Sequence, residues 1–133
     1  PDARGQFLGI SHSNFTPENI ARASIEGVIA GLAYAVEALK REGISYSRIL
    51  LVGGAAKNRA VQEIAADIFQ NEIILPPQGE YVANGAAKQA AWALRGFIPV
   101  WQVGTVEKIE PPARPSNVKP QYMERISRLS TLK

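Results

Sequence analysis

Apolar residues recur along this chain with two different spacings, and the changes of spacing mark out its elements. Phe7-Leu8-Gly9-Ile10-Ser11 is a short, nearly continuous run that predicts a strand. Thr16-Pro17-Glu18 follows, with a hydroxyl N-cap, a proline at the first helical position and an acid in the first turn. From there Ile20, Ala23, Ser24, Gly27, Val28, Gly31, Leu32, Ala35, Val36 and Leu39 fall on one 3.6-residue stripe. Each mid-helix glycine costs about 1 kcal/mol relative to Ala. The Gly27, Gly31, Ala35 ridge is therefore expected to approach the backbone of a sheet closely. Glu37 and Arg41 are expected to pair across one turn, and Gly43 to stop the helix.

The second half repeats the alternation. Arg48 to Val52 reads as a buried strand, Gly53-Gly54 as a tight turn, and Asn58 as the cap of a helix carrying Val61, Ile64, Ala65 and Ile68. Glu72 to Leu75 is a third strand, stopped by Pro76-Pro77. The loop Gln78-Gly79-Glu80-Tyr81 leads into an Ala-rich helix through Val82, Ala86, Ala87, Ala90, Ala91, Ala93 and Leu94, closed by Gly96. Gly85 on that helix either admits a neighbouring backbone or lines a pocket. Trp92 and Trp101 read as packing aromatics. Beyond Trp101, Pro111-Pro112, Pro115 and Pro120 exclude an inner strand and predict an extended arm, with weak helical spacing over Gln121 to Leu132.

Strand–helix alternation predicts an α/β domain with parallel strands and right-handed crossovers. Ligands of such sheets bind beyond the carboxyl ends of the strands, where Gly53-Gly54 lies. Backbone donors and the helix dipole favour an anion or a nucleotide there. A plain strand-to-helix turn would need the same glycine and cap, so both readings stay open on the junction alone.

Composition and charge narrow the chemistry. With 133 residues the chain is one domain's worth, and with no cysteine it offers neither disulfides nor a thiolate metal site. No apolar run approaches a bilayer span, so no membrane role is expected. Residues 1–106 hold nine basic and nine acidic side chains, and 107–133 hold six basic against three acidic. That surplus is spread through the proline-rich arm rather than set on a folded face with aromatics, so no nucleic-acid partner is expected. His12 is the only histidine and sits in a loop with no second ligand nearby, so no metal site is assigned. Adjacent Gly53 and Gly54 match neither G-x-G-x-x-G nor a Walker A loop, and no Ser-His-Asp or paired-acid pattern exists. The start Pro1-Asp2-Ala3 reads as a boundary inside a longer protein.

Several strings together resemble a known family. Leu51-Val52-Gly53-Gly54-Ala55-Ala56-Lys57-Asn58 followed by Gln62-Glu63-Ile64-Ala65-Ala66-Asp67-Ile68-Phe69 resembles the adenosine motif of the FGGY carbohydrate kinases. Pro1-Asp2-Ala3-Arg4-Gly5-Gln6-Phe7-Leu8-Gly9 resembles their "P-x-A-R-G-x-F-x-G" segment. Ala21-Arg22-Ala23 with Glu26-Gly27 resembles "A-R-A-x-x-E-G", and Pro76 through Gly85-Ala86-Ala87 resembles "P-x-x-x-E-x-x-A-x-G-A-A". The matches keep the family's order over roughly residues 1–101. Within the family, Ala55 to Asn58 and Gln89 to Leu94 look most like xylulokinase. Ala55 stands where a third Gly is common, Val61 where a Trp is common, and Ala83-Asn84 where Ala-Leu is common.

The resemblance implies an incomplete ribonuclease H-like, or actin-like ATPase, domain over 1–101, lacking its first two strands, and a proline-rich arm with a short terminal helix over 102–133. The strand at 7–11 and the strand at 48–52 would then not be neighbours. It implies a cytoplasmic, ATP-dependent sugar kinase of xylose metabolism, with Mg²⁺ bridging the phosphates and D-xylulose as acceptor. Glycerol, gluconate and ribulose are the alternative acceptors. Gly54 would lie against the α-phosphate and ribose, Asn58 would touch the adenine edge, Gly53 and Ala55 would shape the turn, and Lys57 would be solvated. The catalytic Asp and the sugar-binding residues would lie before Pro1, so this piece alone is expected to be inactive. Its partners would be ATP, a small sugar and the N-terminal part of the same protein, with a homodimer left open. Two readings of other classes stand beside this one: a non-catalytic nucleotide sensor on the same scaffold, and an α/β interaction module without a ligand.

Overall fold

A computed structural model describes residues 5–101 and 104–130, which fall into two compact units. The first is built on α1 (Pro17–Arg41) and α4 (Val118–Ser130), and the second covers Tyr46–Pro115. Residues on both sides of position 101 thus contribute to this architecture. Pro1–Arg4 of the first motif and Leu132 of the terminal spacing lie outside the described residues.

In the first unit, α1 starts as its sequence predicts, with the Thr16 hydroxyl accepting from the Asn19 amide at 3.3 Å. Asn14 ties the preceding loop: its Nδ2 donates to the Gly9 carbonyl and its Oδ1 accepts from the Ser11 amide, both at 2.8 Å. Phe7 to Ser11 is not a strand. A strand needs a ladder for its backbone groups, and no described segment supplies one here.

α1 carries two apolar faces, and the less obvious one is covered. Ile29, Ala30 and Ala33 are buried, whereas Val28 and Leu32 on the long stripe are 66% and 52% exposed. α4 packs on the covered side. Its Lys119 Nζ donates to Glu37 Oε1 at 2.8 Å, and a Cβ added at Gly31 would stand 3.3 Å from the Tyr122 hydroxyl. Gly31 therefore approaches a tyrosine tip, not a sheet, and Gly27 has nothing within 4 Å of an added Cβ. The expected Glu37–Arg41 pair is replaced as well. Glu37 takes Lys119 and, at 3.2 Å, Lys40, while Arg41 Nε donates to the Glu37 carbonyl at 3.3 Å. The incoming ammonium from α4 occupies the carboxylate that Arg41 would have met.

The second unit holds a three-stranded sheet in the order β1-β2-β3: Ile49–Leu50, Ile73–Leu75 and Glu107–Ile109. β1 and β2 are parallel, with Ile49 opposite Ile73, and β3 runs antiparallel to β2, with Ile109 opposite Ile73. The sheet is therefore mixed, not wholly parallel. Its third strand comes from the stretch expected to be an arm, and an edge strand ending before Pro111 needs only one row of bonds. Two exposed ion pairs hold this edge, Lys108 to Glu72 at 2.9 Å and Arg59 to Glu107 at 3.6 Å.

α2 (Arg59–Phe69) packs against β2 and β3, and Ile64, Ala65, Ala66, Ile68, Ile73, Leu75 and Ile109 form the core. α3 (Tyr81–Arg95) ends at Gly96, which holds a left-handed φ of 74°. None of its residues is buried; Val82 and Leu94 are 90% and 86% exposed, so its apolar face is bare among the described residues.

Candidate functional site

The chain leaves β1 through Leu51, whose amide donates to the Ile74 carbonyl at 3.0 Å, and turns at Gly53. Gly53 holds φ 98° and ψ −179°, a conformation open essentially to glycine alone. A single 3₁₀ turn, Gly54–Lys57, is inserted before α2 where the sequence predicts the glycine turn to feed the helix cap directly. It is closed by the Ala56 amide on the Gly53 carbonyl at 3.2 Å and the Asn58 amide on the Ala55 carbonyl at 3.1 Å. Asn58 then caps α2, its Oδ1 accepting from the Ala60 amide at 2.9 Å.

Gly53, Gly54, Ala55 and Asn58 thus occupy one exposed turn at the carboxyl end of β1. An added Cβ at either glycine meets nothing within 4 Å, so the outer face is open backbone. The Gly54 and Ala55 amides and the Asn58 Nδ2 have no hydrogen-bond partner among the described residues. None of these four side chains titrates, so the turn can recognise a ligand through donors but cannot move a proton. Lys57 is exposed, and Arg59 beside it is drawn to Glu63 at 2.7 Å.

One residue at this site escapes sequence reasoning. Gln62 is the buried polar side chain among the described residues, and its Nε2 donates to the Ala56 carbonyl at 2.7 Å. The available signal was only its place four positions after a capping Asn, since Glu63 and Asp67 are polar in the same helix. Gly85 also has open space where a Cβ would stand, so no neighbouring backbone accounts for it. His12 is exposed in its loop, and among the described residues no three His, Cys, Asp or Glu converge as metal ligands. No described helix is long and apolar enough to cross a membrane.

The family model for the C-terminal domain of the FGGY family of carbohydrate kinases matches residues 1–94. A xylulose kinase from Haemophilus influenzae is 36% identical over 93 residues, which are 70% of this chain and 19% of that protein. A glycerol kinase from Bordetella parapertussis is 31% identical over 132 residues, 94% of this chain and 25% of that protein. The crystal structure of a xylulose kinase from Bifidobacterium adolescentis superimposes with a TM-score of 0.71 at 39% identity, over 94% of this chain and 25% of that one. The chain spans about a fifth to a quarter of the length of the relatives it matches.

Proposed function

Because the chain belongs to the FGGY family of carbohydrate kinases, we propose that the Gly53–Asn58 turn is one wall of the ATP site of a sugar kinase. The observation that carries this reading is the open backbone at Gly53 and Gly54. A phosphate or ribose can approach to hydrogen-bond distance because no side chain stands there. In this reading Gly54 lies against the α-phosphate and ribose, with its own and the Ala55 amide as donors. Asn58 keeps its cap and offers Nδ2 to the adenine edge, while Gly53 and Ala55 shape the turn.

The reaction is phosphoryl transfer from ATP to a sugar hydroxyl in line, where positioning and charge stabilisation supply most of the rate. This chain's share is binding. The general base is assigned to no residue of it, and the sheet, helices and turn are read as part of an actin-like ATPase domain. Mg²⁺ is proposed as the phosphates' counter-ion, the role it has in phosphoryl transfer generally, and none of this chain's residues is assigned to it. D-Xylulose is the proposed acceptor, supported by the relatives from H. influenzae and B. adolescentis; the B. parapertussis relative makes glycerol the acceptor to test beside it.

Gly54→Val in the intact kinase tests the site. A branched side chain at that position fills the space the nucleotide needs, so the KM for ATP rises at least tenfold while sugar KM stays within twofold. Unchanged ATP kinetics would remove the turn from the ATP site. Rates with D-xylulose, D-ribulose, glycerol and gluconate on the unsubstituted enzyme decide the acceptor.

A further inference from the structure

We infer that Gln62 is a positioning residue for the nucleotide-binding turn, an inference that rests on the reading of Gly53–Asn58 as part of the ATP site. The 3₁₀ turn ends at Lys57, and Asn58 is extended at φ −86° and ψ 120° before α2 begins. That break leaves the Ala56 carbonyl without a helical amide to accept from. Gln62 supplies the missing donor, reaching back six residues with Nε2 at 2.7 Å, while its own backbone amide donates to the Asn58 carbonyl at 3.2 Å. The backbone bond is the ordinary first bond of α2; the side-chain bond is what ties the 3₁₀ turn, on the far side of Lys57, to that helix.

The grip is buried at its Gln62 end and the turn it holds is exposed. Nothing else packs on the outer face of Gly53 or Gly54 to define their conformation. Without the side-chain bond, the 3₁₀ turn can rotate about the extended Asn58 and sample orientations in which the Gly54 and Ala55 amides do not converge. Ordering the turn would then fall to the bound nucleotide, which weakens apparent affinity by the fraction of molecules that are competent. The effect is confined to nucleotide binding, because Gln62 touches no reacting atom.

The test compares Gln62→Met, which keeps length and burial but has no donor, with Gly54→Val in the intact kinase. Hydrogen exchange of the peptide spanning 53–62 in the nucleotide-free protein is measured with the steady-state constants. Expected for Gln62→Met are faster exchange at the Ala56 and Asn58 amides and an ATP KM raised about tenfold, with kcat and sugar KM within twofold. Faster exchange with an unchanged ATP KM makes Gln62 a structural residue only and overturns the inference, as does unchanged exchange. If Gly54→Val raises the ATP KM and Gln62→Met does not, the site reading stands and the inference falls. If Gly54→Val has no effect, the site reading itself falls. Should Gln62→Met fail to fold, Gln62→Leu carries the test, since it brings neither a donor nor a charge into the buried position; a normal ATP KM there overturns the inference.

Discussion

Asn58 divides its side chain between two groups that substitution can separate. Oδ1 is committed to the Ala60 amide at 2.9 Å, and Nδ2 is the donor proposed for the adenine edge. Serine caps a helix about as well as asparagine but lacks the amide's reach, so Asn58→Ser leaves stability within a few tenths of a kcal/mol. Asn58→Ala loses the cap and costs about 1 kcal/mol. Both raise the KM for ATP several-fold if Nδ2 contacts the base; a normal ATP KM in the stable Ser variant removes that contact. At this scale the glycine turn and the cap were legible, because left-handed backbone and orphan helix amides demand particular residue types. Gln62 was not. Its role depends on the Ala56 carbonyl being stranded by a 3₁₀ turn, and nothing in residue spacing announces that turn.

Helix positions were legible in the sequence, and their neighbours were not. Thr16, Asn58 and Gly96 end their helices where cap chemistry places them. On α1, however, periodicity groups residues into faces without saying which face is covered: Val28 and Leu32 of the long stripe stay exposed, while Ile29, Ala30 and Ala33 are buried and Gly31 meets Tyr122 of α4. The strand Glu107–Ile109 escaped for a related reason: three residues of mixed polarity become a strand only because β2 has a free edge. What holds α4 on α1 makes a pH prediction. The bonds from Lys119 first, then Lys40, hold the Glu37 carboxyl below the ordinary carboxylate value. A value lower in the folded than in the unfolded chain adds stability above the unfolded value, about 4.5, and that stability is lost as pH falls through the lowered one. Amide protection of α4 should therefore drop on acidification below that point. In Lys119→Met protection is already lower at neutral pH and its acid dependence shallower; an unchanged acid profile in that variant would separate α4 docking from Glu37.

Among the described residues of the whole molecule, the buried apolar side chains are few and the bare ones large. Ile68 and Ile73 are the large side chains wholly enclosed, while Val82, Leu94 and Val100 exceed 85% exposure. The matched relatives are about four to five times longer than the segment they share with this chain, so α1's glycine ridge can be tested for a covering partner in the intact kinase. Gly27 turns that argument into a measurement. In the chain by itself an added Cβ at Gly27 meets nothing within 4 Å, so Gly27→Ala gains helix propensity alone, and the helix is stabilised by up to about 1 kcal/mol. If the same ridge is buried against a sheet in the intact kinase, the added methyl collides with backbone and the sign reverses, at a cost of about 1–3 kcal/mol. Thermal unfolding of the Gly27→Ala pair, isolated chain against intact enzyme, reads both signs. A stabilising effect in both leaves Gly27 solvent-facing in the enzyme and without a packing explanation, unlike Gly31, which meets Tyr122.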